Sequence, residues 1–312
     1  MFTLKIENEN HEIITLTGRE SRYQVLNIEG LNPPNANVRR SSVAGMDGTK
    51  YMSAKLEERN IVITIRINGN VEENRLQLYR WFKTRHWCKV YYSNGSRNVY
   101  IEGYIETNEC PIFTENEQMQ ISIVCPDPYW LSAQEIVTDI SELLGNFEFP
   151  FAFGANGMDS SIGMIDRFHY REFVLVDESD TVTNNAIEFS QLVENRIVSI
   201  VNEGEDETGL LIRIIATDTV VNPAIYNDNT KEFFKVKITM NENDVLNINT
   251  TKGQKSVMLT RGIETTNLIN KLVRDSTWLT INKGENKFTY KADEGSTNMN
   301  IVFTHRTKYQ GV

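Results

Sequence analysis

Two prolines, Pro126 and Pro128, stand one residue apart at the end of an apolar run, Ile121-Ser122-Ile123-Val124-Cys125. Residues 121–124 read as the last strand of something already folded. The prolines then remove two backbone donors and fix φ, so no ladder can run through them. Each also pushes the residue before it into extended geometry. The pair predicts a stiff, straight exit from one domain, with Tyr129 and Trp130 pinning that exit against a surface. At 312 residues the chain has room for about two domains and two cores. The joint divides it into residues 1–130, a connector at 131–146 and a second domain at 147–312.

Charge narrows the function classes. The net charge is −10, with four histidines, and there is no basic stripe of the kind that grips phosphate, which argues against sequence-specific nucleic-acid binding. No window reaches the roughly 18 apolar residues of a membrane span. Met1-Phe2-Thr3-Leu4-Lys5 begins directly as strand-like alternation, so synthesis and folding in a cytoplasm are expected. Cys88, Cys110 and Cys125 are odd in number and far apart, which fits reduced thiols acting as small hydrophobes better than a disulfide framework or a zinc site.

The first domain alternates strands with one helix. Phe2, Leu4 and Ile6 alternate, Asn8-Glu9-Asn10 turns, and Ile13, Ile14 and Leu16 return as the second half of a hairpin. Residues 25–28 form a further strand, stopped by Gly30 and Asn32-Pro33-Pro34-Asn35. Gly45 and Gly48 flank Asp47 in a tight turn; the phosphate-loop pattern is missing, and no helix follows. Ile61, Ile63, Ile65 and Ile67 share one face of a strong strand. A helix over 71–85 follows, with Asn70 and Glu73 as a capping box and a buried stripe of Leu76, Tyr79 and Phe82 with Leu78 beside it. Asn94-Gly95 joins two strands in a hairpin, and residues 118–124 lead to the joint. This is an α+β unit with its helix on one sheet face.

The second domain reads as β-sandwich. Phe147, Phe149, Phe151 and Phe153 alternate around Pro150 as an edge strand, and 154–163 is a loop of small residues. The connector carries one helical turn at 141–144. Short strands are then predicted near 173–176, 187–190, 197–201, 209–217, 233–239, 245–249, 256–260, 277–281, 287–291 and 298–305, with turns at 251–253 and 283–286 between them. Residues 268–273 suit either a short helix or a strand.

Several segments together resemble the distal tail proteins of long-tailed bacteriophages, the siphovirus-type tail component family. The strand–Cys125-Pro126-Asp127-Pro128-Tyr129-Trp130 joint looks like the end of that family's N-terminal domain. Val43-Ala44-Gly45-Met46-Asp47-Gly48-Thr49-Lys50-Tyr51 resembles its V-x-G-x-D-G-x-x-Y segment, and Leu56-Glu57-Glu58-Arg59-Asn60-Ile61 the strand start that follows. Val221-Asn222-Pro223, residues 245–257, Gly284-Glu285-Asn286 and Tyr309-Gln310-Gly311-Val312 resemble its C-terminal, galectin-like domain. The resemblance covers nearly the whole chain and is weakest over 154–183. It implies a mainly β protein: an α+β ring-forming domain with one helix on a β-sheet, then a galectin-like β-sandwich. It further implies a homo-hexamer around a tail channel, in the virion at the tail tip or baseplate, assembled in the host cytoplasm. The implied partners are the tail-tube protein, the tape-measure protein, a tail-associated needle or fibre protein and receptor-binding proteins, with DNA only passing through and no membrane insertion.

Residue chemistry is weighed against packing. His11, His86, His169 and His305 lack partners at catalytic or metal-ligand spacing, so no catalytic residue, cofactor or metal is expected. Glu203, Glu205, Asp206 and Glu207 miss the calcium-loop register and read as a solvated hairpin tip. Asp127 suits an Asx-turn cap. Trp278, the one tryptophan of the second half, is the candidate for a sugar contact. A carbohydrate-binding module adhering to the host surface is thus the alternative to a non-enzymatic hub, although fold does not carry function. For the hub, the subunit interface is expected at exposed strand edges and at Ile61, Ile63, Ile65, Ile67, Leu78 and Trp81, and the domain joint at Pro126, Asp127, Pro128, Tyr129 and Trp130.

Overall fold

The computed structural model describes residues 2–18, 22–42, 44–45, 47–111, 117–139 and 197–312. Val43 and Met46, the helical turn at 141–144, the phenylalanine strand at 147–153, the loop at 154–163, the strands near 173–176 and 187–190, and His169 lie outside the described residues.

The N-terminal half comprises β1 (Thr3–Asn8), β2 (Ile13–Thr15), β3 (Tyr23–Glu29), β4 (Ala36–Ser41), β5 (Lys50–Leu56), β6 (Arg59–Ile67), α1 (Val71–Trp81), β7 (Trp87–Ser93), β8 (Asn98–Glu109), β9 (Gln118–Cys125) and β10 (Trp130–Ser132). One antiparallel sheet runs β2-β1-β7-β8-β9-β6-β3. Alternation decides its inner face: Ile61, Ile63, Ile65 and Ile67 are 0–4% exposed, beside Leu4, Ile6, Val90, Ile101 and Ile121. Helix α1 lays Leu78 and Phe82 on this face. Burying each such side chain contributes about 1.5–3 kcal/mol.

The helix differs from its prediction in three ways. It ends at Trp81, with Arg85 at φ 72° beyond it. Asn70 makes no side-chain cap to the backbone; its amide instead donates to Glu73 at 2.9 Å. Leu76 points to solvent, and the inward stripe is Val71, Asn74, Leu78 and Phe82, which is the i, i+3, i+4 row that meets the sheet. The Asn94-Gly95 turn is as expected, with Gly95 at φ 80° and the Asn94 amide donating to the Arg97 carbonyl.

The C-terminal half comprises β11 (Ile136–Asp139), β12 (Ile197–Asn202), β13 (Thr208–Gly209), β14 (Leu211–Ala216), β15 (Val220–Val221), β16 (Ala224–Asn227), β17 (Glu232–Lys235), β18 (Thr239–Met240), β19 (Val245–Asn249), β20 (Ser256–Arg261), β21 (Glu264–Asn267), β22 (Thr280–Ile281), β23 (Gly284–Lys291), β24 (Met299–His305) and β25 (Lys308–Tyr309). A six-stranded sheet, β11-β24-β14-β19-β20-β21, and a four-stranded sheet, β12-β23-β16-β17, enclose the core of a β-sandwich. Phe288 and Phe303, one from each sheet, stack at 5.5 Å. Strand β23 already begins at Gly284, inside the predicted turn, and 269–271 forms a 3-10 turn. Residues 131–132 and 136–139, expected as polar connector, are strands because existing sheet edges offer them backbone partners.

Candidate functional site

The prolines interrupt the ladder only briefly. Strand β9 runs beside β8 up to the pair Tyr104–Val124, the chain crosses 126–129, and β10 resumes on the same strand at Leu131–Tyr100. The chain bends at Pro126 and Asp127 and leaves the sheet at Ser132 rather than at Pro126. Asp127 accepts from the Tyr129 amide at 3.3 Å, an Asx turn that spans the gap. Trp130 is fully buried in the N-terminal core.

Arg59, 3% exposed, holds this region together. Its Nε donates to the Pro128 carbonyl at 2.9 Å, one terminal nitrogen to Asn32 at 2.6 Å and to Gly30, and the other to Gln310 at 2.5 Å. The guanidinium lies 5.7 Å from the Trp130 ring centre. Burial disfavours its charge, so carbonyl dipoles supply the compensation that a carboxylate usually would.

Gln310 belongs to a tail that returns from the sandwich. Strand β25 pairs with β10, placing Tyr309 beside Trp130, and the Val312 amide donates to Leu31 at 3.1 Å. Arg97 donates to the Gly311 carbonyl and, at 2.7 Å, to Glu205; its guanidinium covers Tyr309 at 4.4 Å. Glu205 also accepts from the Gln310 amide at 2.8 Å. Burial opposes its ionisation, yet the Gln310 amide and Arg97 prevail and hold its carboxyl below the usual range. The Tyr129 hydroxyl donates to Asp206. The acidic loop is therefore not a solvated tip throughout: Glu203 and Glu207 face water, whereas Glu205 and Asp206 clasp the joint and the tail. Gly204 permits the approach, since a Cβ there would come 2.9 Å from the Lys308 carbonyl. Arg306 completes the clasp, donating at 2.8 Å each to Ser132, Ala133 and Glu135.

The residues expected at a subunit contact lie elsewhere. Ile61, Ile63, Ile65, Ile67 and Leu78 are at most 4% exposed, and Trp81 is half-buried against the same core. Their alternation marked a buried face, and the protomer's own sheet and helix bury it. What stands exposed is the β4–β5 hairpin, closed at its base by the Glu57 amide on Asn35 at 2.8 Å. Residues 36–41 and 50–55 are exposed on both faces, with Tyr51 at 62%, Met52 at 61% and Val38 at 41%.

Two family models match this chain. Residues 17–125 match the phage tail protein RIFT-related domain. Residues 203–307 match the C-terminal domain of the siphovirus-type tail component. The chain belongs to the siphovirus-type tail component family. It is a distal tail protein of the long-tailed phages, and its family and fold are those of a structural tail protein. The solved SPP1 Dit protein, described as a paradigm of the hub adsorption apparatus in phages infecting Gram-positive hosts, shares its fold at TM-score 0.64 and 13% identity, over 98% of both chains. A chain of the phage P2 baseplate in its activated conformation with Ca aligns over all of both chains at TM-score 0.55 and 12% identity. A search of curated sequences finds no match.

Two further groups complete the distal tail protein's inventory. Trp278 is partly buried, its ring 5.2 Å from Phe234 with the Lys255 ammonium 5.3 Å from its centre. Among the described residues, no three His, Cys, Asp or Glu are placed to hold a metal ion.

Proposed function

We propose that this distal tail protein is the non-enzymatic hub of a phage tail tip or baseplate. Copies close head-to-tail into a hexameric ring through residues 1–130, with 131–146 as connector and the galectin-like sandwich of 147–312 turned outward. One face of the ring meets the tail-tube and tape-measure proteins and the other the tail-associated needle or fibre protein, while the sandwiches carry receptor-binding proteins. The two family matches fall on either side of the connector, in keeping with this division.

The observation that carries self-assembly is the β4–β5 hairpin. A two-stranded ribbon bathed in water on both faces is marginally stable, yet this one displays Val38, Tyr51 and Met52. A neighbouring copy that covers it supplies the missing layer. The net charge of −10 favours an acidic channel along which DNA slides without sticking; a lumen lined with lysine and arginine refutes that part.

Negative-stain microscopy and native mass spectrometry of the purified chain, alone and co-expressed with its tail-tube partner, test the proposal. Six-fold rings with a central hole are the expected result. Monomers under both conditions overturn it.

A further inference from the structure

We propose that the C-terminal residues 309–312 are a strap that sets the pose of the β4–β5 arm and couples it to the 203–207 loop of the sandwich. This stands whether the arm meets another copy or water alone.

Nothing within the arm fixes where it points. Strands β4 and β5 pair only with each other, and residues 36–41 and 50–55 are exposed on both faces. A ribbon of this kind has no packed layer to hold it, so its direction is decided at its roots. The large sheet grips the chain as far as Glu29, paired with Val62, and again from Arg59, paired with Cys125. Between those points the outgoing root, 30–35, lies off the ladder. The Glu57 amide on Asn35 ties it to the returning root at 2.8 Å, but that bond does not tie it to the body.

The tail does. The Val312 amide donates to the Leu31 carbonyl at 3.1 Å. Gly311 lies so close to Pro33 that a Cβ there would come 3.0 Å from the ring Cδ. Leu31, Tyr309 and Val312 pack against the N-terminal core. Arg59 bridges root and tail, donating to the Gly30 and Asn32 carbonyls and to that of Gln310.

The sandwich loop holds the same tail from its other side. The Glu205 amide donates to the Lys308 carbonyl at 2.8 Å, and its carboxylate accepts from the Gln310 amide. Arg97 joins that carboxylate to the Gly311 carbonyl. Among the described residues no hydrogen bond joins loop to root directly, so the tail is the element they share. Seating it on one favours seating it on the other, and the linkage is reciprocal. A load that draws the loop off the tail therefore frees the arm.

Spin labels test this on the full chain, diluted with unlabelled protein. Nitroxides at Ser53→Cys on the arm and Thr15→Cys on the sheet, in a Cys110→Ser background, report the arm's pose by double electron–electron resonance; Cys88 and Cys125 are buried and stay unlabelled. Deleting 310–312 should broaden the distance distribution about twofold and speed exchange of the Glu57 amide about tenfold, within the usual range of such couplings. Glu205→Ala, at a side chain that bonds to neither arm nor root, should shift both readouts the same way. Glu203→Ala, in water on the same loop, should shift neither. By reciprocity, Pro33→Gly should speed exchange of the Glu205 amide. An arm unmoved by both the deletion and Glu205→Ala overturns the strap. Broadening in the deletion alone overturns the coupling to the loop. Should the deletion unfold the sheet, Glu205→Ala decides: an unchanged distribution there overturns the proposal.

Discussion

Replacing Arg59 should do more damage than replacing any exposed residue of the clasp. The guanidinium is 3% exposed and donates to four carbonyls, those of Gly30, Asn32, Pro128 and Gln310. Hydrogen bonds to a charged donor contribute about 1.5–3 kcal/mol each, so four would give roughly 6–12 kcal/mol in the gross. Desolvating the cation offsets much of this, and removing one partner of a buried ionic network typically costs about 3–5 kcal/mol net. Arg59→Ala should therefore lose about 4 kcal/mol, close to a thousand-fold in the unfolding equilibrium. Arg59→Lys keeps the charge but offers one nitrogen in place of a fork, and should recover less than half of the loss. Arg97→Ala, at a side chain 33% exposed, should cost about 1 kcal/mol or less. Guanidinium unfolding followed by tryptophan fluorescence reports the site directly, because Trp130 lies 5.7 Å from the guanidinium. Hydrogen exchange should show the Gln310 and Val312 amides opening first. An alanine variant within 1 kcal/mol of wild type, or a lysine variant equal to arginine, would refute the network as the element that joins tail to sheet.

Further outcomes follow from single groups. Gly103→Ala would place a Cβ 2.7 Å from the Val124 carbonyl and 2.8 Å from the Cys125 sulfur; a loss of about 1–3 kcal/mol is expected, and an unchanged melting temperature would contradict the packing. His305 is 3% exposed, and burial lowers its pKa from the ordinary 6.5, offset in part by the Val201 backbone. The unfolded chain then binds the extra proton first, so stability should fall as pH drops below 6.5 and level off beneath the lowered native value. His305→Leu should flatten that slope, and an unchanged slope would assign it to other groups. The Cys88 and Cys125 thiols are buried and pushed up to about 12, so native alkylation followed by peptide mass spectrometry should label Cys110 alone.

Much of the fold was legible because one-dimensional periodicity records burial. The alternation of Ile61, Ile63, Ile65 and Ile67 set a strand and its inner face, and Asn94-Gly95 set a hairpin, since both depend on neighbours in sequence. The same alternation does not say who does the burying, which is why isoleucines expected at a subunit contact line the protomer's own core. Helix α1 shows the limit on a smaller scale. Its apolar residues suggested a stripe through Leu76, while the sheet beneath selected Val71, Asn74, Leu78 and Phe82.

The clasp lay beyond reach of any local reading. Arg59, Arg97, Glu205 and Asp206 look like ordinary surface charges in the sequence, and Gln310 lies 251 positions from Arg59. By itself the sequence determined many of the strands, the presence of the helix, the Asn94-Gly95 turn and, through its ordered motifs, the family. Tertiary structure alone decided that β25 returns to pair with β10, that an acidic turn docks on that tail, and that the β4–β5 hairpin stands uncovered. The reason is physical: backbone propensity and hydrophobic period act over a few residues, whereas a buried cation is satisfied by whichever carbonyls the completed fold brings within about 3 Å of it.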